Sequence, residues 1–229
     1  MAVPASSSAL ALPSQRTAPP KQWDCFLSLA ALSGSGHQPI SSREISGSTG
    51  LSVETIGGIL SFLQSVGLAE GSRGKYAVTP GGWAIAEMWQ LDPIQGRLLL
   101  QGLFLTRWPA RLAYGILRDG PVPQDAFVKH IKGETAGHTR RGRYFVAWLV
   151  MALLVHRDAA MTVSASSALL SSAHLWQAAP VAPAPSTVQE PRRGVLMGMT
   201  HSELRALPPR QYMTVLKHVA SLSEMDIAG

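Results

Sequence analysis

From residue 22 to 165 apolar residues recur mostly at three- and four-residue steps, and the breaks in that period divide the stretch into short helices and two strand pairs. Over 22–32, Phe26, Leu29 and Ala30 share one stripe before SGSG stops the helix. Ser41 and Glu44 stand at capping-box spacing and predict a short helix ending near Gly50. Ser52 is placed to cap the next helix, whose buried stripe is Val53, Ile56, Ile59, Leu60 and Leu63, with Gly67 as its left-handed terminator. LAE, GSRG and KYAVTP then read as a hairpin. A helix over roughly 82–90 follows, carrying Trp83, Ile85, Met88 and Trp89.

After Asp92 and Pro93 the helical period resumes to about Thr106 and again over 108–118. PVPQDAFVKHIKG predicts a short helix with Pro123 near its start, followed by a turn over 133–137 and a long helix over 139–153. LLVHRDAAMTVSA reads as strand, tight turn, strand. This second stretch repeats the order of the first, LLVHRDAAMTV standing where GLAEGSRGKYAV stood.

The residues LSVETIGGILSFLQSVGLAEGSRGKYAVTPGG resemble a winged helix-turn-helix of the kind found in bacterial regulators. There the recognition helix runs through a Gly-Leu strand and a Gly-rich wing into a Tyr-x-x-Thr-Pro-x-Gly step, here Tyr76, Thr79, Pro80 and Gly82. The resemblance covers about 50 residues and speaks to fold more than to function. The expected fold class is therefore mainly α with small β-hairpin wings: two tandem winged helix-turn-helix units plus a C-terminal amphipathic helix. The expected division is a disordered leader at 1–21, winged helix one at 22–90, winged helix two at 91–165, a Pro/Ala-rich linker at 166–193 and a helical tail at 194–229.

Composition changes this picture in three ways. The net charge of +6 is concentrated in 91–165, where ten basic residues face five acidic ones, and such a focus points to a polyanion partner. The longest uncharged run near it, 144–155, spans about 18 Å as a helix against about 30 Å for a bilayer core, so no membrane span is expected. One cysteine, Cys25, excludes an internal disulfide and a Cys-rich zinc site; a cytoplasmic, nucleoid-associated protein is the expectation. The sequence has no P-loop, Rossmann glycine pattern or nucleophile elbow, so neither an enzyme nor a cofactor is expected. His130 and His138 lack a ligand set around them, and no metal site is expected.

A helix-turn-helix reads the major groove with the first turns of its second helix, while other cations hold phosphates. By that test the expected reader of double-stranded DNA is the second unit. Thr139, Arg140, Arg141 and Arg143 open its second helix, Lys129 and Lys132 lie on the helix before, and Arg157 stands at the wing. Cations at a helix N-terminus oppose the macrodipole, and an approaching polyanion gives them a reason. The plainer alternative is solvated arginines, or arginines paired with Asp125 or Glu134. The first unit offers only Arg73 and Lys75 on its wing, and its helix over 52–66 has no cation and a tandem Gly57-Gly58, which weakens a helix unless another element packs closely there.

A transcriptional regulator or nucleoid-associated factor is the leading expectation. A protein-interaction adaptor and a plasmid-type replication initiator stand beside it. Two further partners are anticipated: a second copy, through Leu98, Leu99, Leu103 and Phe104 of the 94–106 helix, and a protein partner or second copy through the tail stripe of Leu204, Leu207, Met213, Val215, Leu216 and Val219.

Overall fold

The computed structural model describes residues 11–134 and 139–177, with the backbone of two short strands at 195–196 and 199–200; the side chains of 132–134, 175 and 177 are not described. The chain divides into two compact units, Met1–Ala179 and Pro180–Gly229. The first is mainly helical and holds two small antiparallel sheets of three strands each.

Its first half runs α1 (Pro19–Ser33), β1 (Ile40–Ser41), α2 (Ser42–Thr49), α3 (Val53–Ser65), β2 (Ala69–Ser72) and β3 (Lys75–Val78), with strand order β1-β3-β2. Local chemistry sets the boundaries. Ser41 and Glu44 form the capping box, Gly50 ends α2 at φ 68°, and Ser52 caps α3 through the Thr55 N–H. After α3 the chain reverses at Gly67, φ 81°, where the Leu68 N–H donates back to the Leu63 carbonyl. Arg73 and Gly74 close the hairpin with φ of 52° and 80°, both positive as a two-residue turn requires. Thr79 caps α4 (Pro80–Leu91), and Asp92 caps α5 (Pro93–Leu105).

The second half repeats the order: α6 (Trp108–Leu117), β4 (Val122–Pro123), α7 (Gln124–Glu134), α8 (Thr139–Met151), β5 (Val155–Arg157) and β6 (Thr162–Ala165), again with the last strand in the middle of the sheet. The reversal after α8 uses Leu153 at φ 55° where the first half uses glycine, and the Leu154 N–H donates to the Leu149 carbonyl as Leu68 does to Leu63. Of the turn expected at 133–137, residues 133 and 134 instead continue α7, and 135–137 lie outside the described residues.

Two expected boundaries need correction. The leader is not unstructured throughout: residues 11–18 pack on the helices, with Leu12 only 2% exposed. The stretch counted as linker begins with folded chain. Ser166 caps α9 (Ser167–Ser171), whose Leu169 is buried, and on α10 (His174–Gln177) the Trp176 Nε1–H donates to the Leu105 carbonyl at 2.9 Å while the ring lies 5.5 Å from that of Tyr114. In the second unit β7 (Val195–Leu196) pairs with β8 (Met199–Thr200). The tail stripe from Leu204 to Val219 lies outside the described residues.

One core joins the two halves. Trp148 of α8 is fully buried, with ring centroids 5.0 Å from Phe62 on α3, 5.6 Å from Trp23 on α1 and 6.4 Å from Phe104 on α5. Its indole N–H donates to Gln22 Oε1 at 3.1 Å, so the polar end of the ring is satisfied inside the core. Cross-ties close both sides: Trp108 Nε1–H donates to the Ser65 carbonyl, and Arg97 and Gln101 of α5 donate to the carbonyls of Val150, Met151 and Leu153 at the end of α8. The Val150 carbonyl also accepts the Leu153 N–H in the turn that ends α8, and the two side chains add donors to this end of the helix from another element.

Candidate nucleic-acid interface

The exposed start of α8, the start of α7 and the β5–β6 hairpin adjoin one another through the Arg143–Asp125 pair and the Arg157–Gln124 hydrogen bond. Gly142 makes this possible. A side chain there would stand 2.7 Å from Val128 Cγ1, so the glycine lets α7 and α8 approach closely, with Asp125 of α7 paired to Arg143 of α8. The hairpin is anchored to the same place. The Gln124 N–H donates to the Met161 carbonyl, and the Asp158 carboxylate accepts the Thr162 N–H at 2.7 Å, holding the turn that puts Met161 at φ 61°. Between them lies an open cleft of about 390 Å³ lined by Pro123, Gln124, Asp125, Arg143, Ala160 and Met161.

The arginines differ in their engagement. Arg140 is exposed and makes no hydrogen bond or ion pair among the described residues. Arg143 meets Asp125 Oδ1 at 3.0 Å, with the two side chains 54% and 69% exposed. An ion pair that open to water contributes about 0–1 kcal/mol at most, so the guanidinium is available to a stronger anion. Arg157 donates to Gln124 Oε1 at 3.2 Å and remains exposed. Lys129, one turn beyond Asp125, is exposed, as is Thr139. His130 lies beside Lys129, its Nδ1 2.9 Å from the Ala126 carbonyl. The Lys132 side chain, Glu134 and His138 lie outside what is described.

Arg141 departs from its expected role. It is half-buried and donates to the carbonyls of Pro13 and Leu12 at 3.1 and 2.7 Å, holding the N-terminal segment rather than facing outward. That segment then runs along α3. Ser65 Oγ–H donates to the Ala11 carbonyl, Ser14 lies against Gly58, and Arg16 pairs with Glu54 at 2.6 Å. Gln22 fixes it from below, its amide donating to the Ser14 and Thr17 carbonyls at 2.8 Å. So the neighbour that Gly58 admits is the chain's own N-terminal segment, which sequence alone placed in the leader. Arg73 and Lys75 sit exposed at the first hairpin, and the Ser41 hydrogen bonds, with the Lys75 charge adding to them, hold the Glu44 carboxyl below its ordinary range.

Among the described residues no three His, Cys, Asp or Glu side chains converge as a metal-binding set, and no helix is long and apolar enough to cross a membrane. Cys25 is buried in the core, and burial, with Asp24 adding to it, pushes the thiol up to about 12, so it stays protonated and packs as a small apolar group. Compared with known protein families and with curated proteins, the sequence matches none.

Proposed function

We propose that each half of the first unit is a winged helix-turn-helix and that the chain binds double-stranded DNA through the second half. The observation carrying this is that Arg143 and Arg157 both reach the start of α7, through Asp125 and Gln124, while Arg140 at the start of α8 and Lys129 on α7 are exposed. In such a module the start of the second helix enters the major groove and the wing lies along the backbone. Arg140 and Arg143 reach base edges or phosphates, and Lys129 and Arg157 hold phosphates. Arg141 is absent from the site, because its guanidinium is engaged within the chain. Regulation of transcription or organisation of the nucleoid follows as the role of such a binder.

Fluorescence anisotropy with duplex DNA at several salt concentrations tests the reading. Arg140→Ala and Arg143→Ala are each expected to weaken binding and to lower the slope of log K against log salt by about 1, the loss of one phosphate contact or its equivalent. Affinity and slope unchanged in the double variant would reject the site.

The adaptor reading draws on the opposite half. The residues of α3 include no cation, and residues 11–17 of the same chain lie along it with Arg16 on Glu54, an arrangement suited to peptide rather than to phosphate. A chain that gives no salt-dependent signal with any duplex favours that reading.

A further inference from the structure

Of the eight large apolar side chains most exposed among the described residues, four fall within nine positions at the α4–α5 corner: Leu91 at 76%, Ile94 at 67%, Leu98 at 43% and Leu99 at 44%. Scattered apolar residues are ordinary on a surface, whereas a contiguous group marks an interface. The corner is not the expected set. Phe104 is fully buried and Leu103 half-buried, so the unsatisfied apolar surface lies toward the start of α5. On that helix Ile94, Leu98 and Gly102 follow one another at four-residue steps and so share a face. A side chain at Gly102 would meet nothing within 4 Å.

The same face has no free charge. Asp92 is engaged in capping α5, accepting the N–H groups of Ile94 and Gln95, and Arg97 points across to the carbonyls of Val150 and Met151. Glu87 on α4 is exposed, and the Arg107 guanidinium beyond α5 lies against Gly67.

We propose that a second copy of this chain covers this face, α5 lying antiparallel on α5 across a two-fold axis. A two-fold sets each charge near the axis against its own like, so a surface that docks on itself has to be neutral there, and this one is. A lipid surface would call for Lys and Arg around the apolar side chains, and a charged partner for fixed opposite charges; α5 offers neither. The sizes also match. With Leu98 on the axis, Ile94 lies over Gly102 of the partner subunit, large against small where the helices approach. The face contains none of the arginines of the nucleic-acid interface, so the two proposals stand or fall separately.

Sedimentation equilibrium of the full chain over a range of concentrations decides it. The wild type is expected to be a concentration-dependent dimer. Gly102→Leu fills open space in the single chain and improves helix propensity, so circular dichroism should be unchanged. In the dimer it overfills the contact, and the dissociation constant should rise about tenfold or more, with Leu98→Glu doing the same. A wild type that is monomeric at every concentration, or a Gly102→Leu variant that dimerises as tightly as the wild type, would overturn the proposal. So would a monomer that sediments with anionic vesicles, which would give the face to lipid.

Discussion

Arg140, Arg141 and Arg143 are neighbours in sequence, but successive residues of a helix point about 100° apart, and that rotation separates their tasks. Arg140 and Arg143 stand one turn apart on the outward side, while Arg141 turns toward the N-terminal segment and donates two hydrogen bonds to the backbone of Leu12 and Pro13. Hydrogen bonds from a charged donor are worth about 1.5–3 kcal/mol each, and part of that returns when water replaces them at a half-buried site. Arg141→Ala should therefore lower the urea midpoint by the equivalent of about 1–3 kcal/mol at unchanged m value, while leaving the salt slope of DNA binding alone. A loss of slope equal to that of Arg140→Ala would put Arg141 back in the interface. Composition could not separate these roles, since all three side chains carry the same charge and the distinction comes from what α8 packs against.

At the scale of elements, legibility followed the local signals. Ser41, Ser52 and Thr79 cap helices, and Gly50 and Gly67 end or follow them, because each satisfies a terminal backbone group by its own chemistry. α8 ends at Met151, two residues before the expected 153, because Leu153, not glycine, takes the left-handed position, and no residue type announces that. Residues 11–18 were unreadable for a different reason: their order comes from long-range contacts with Ser65, Glu54 and Arg141, which leave no periodic trace. Of the site, the arginines and the alternative partner Asp125 were both visible, but not which arginine would meet it. The α7–α8 approach depends on Gly142, which the sequence shows only as one glycine among arginines. Gly142→Ala should cost about 1–3 kcal/mol through overpacking against Val128, despite alanine's better helix propensity. Val128→Ala in the same chain should recover part of it, since the methyl groups in the way are those of Val128. Equal stability of wild type and Gly142→Ala in denaturant titrations would show that the two helices are free to separate.

For the first unit as a whole, the expectation of two winged-helix halves leaves open whether they behave as beads on a string, and the core answers that they do not. Phe62 of the first half and Trp148 of the second are both fully buried and 5.0 Å apart, while Arg97, Gln101 and Trp108 stitch the ends of one half's elements to the other. Neither half can open without exposing the indole of Trp148 or leaving the Gln22 amide without partners in the interior. The two halves should therefore unfold together: far-ultraviolet circular dichroism and tryptophan fluorescence should give coincident urea transitions, and the slowest amides of α3 and α8 should exchange with the same free energy. Phe62→Ala, made in the first half, should lower stability by about 3–5 kcal/mol and should speed exchange in α8 as much as in α3. Exchange that accelerates in α3 alone would mean that the halves fold independently. The candidate interface would then sit on a mobile module, whereas the shared core holds Arg140, Arg143 and the hairpin on a rigid one.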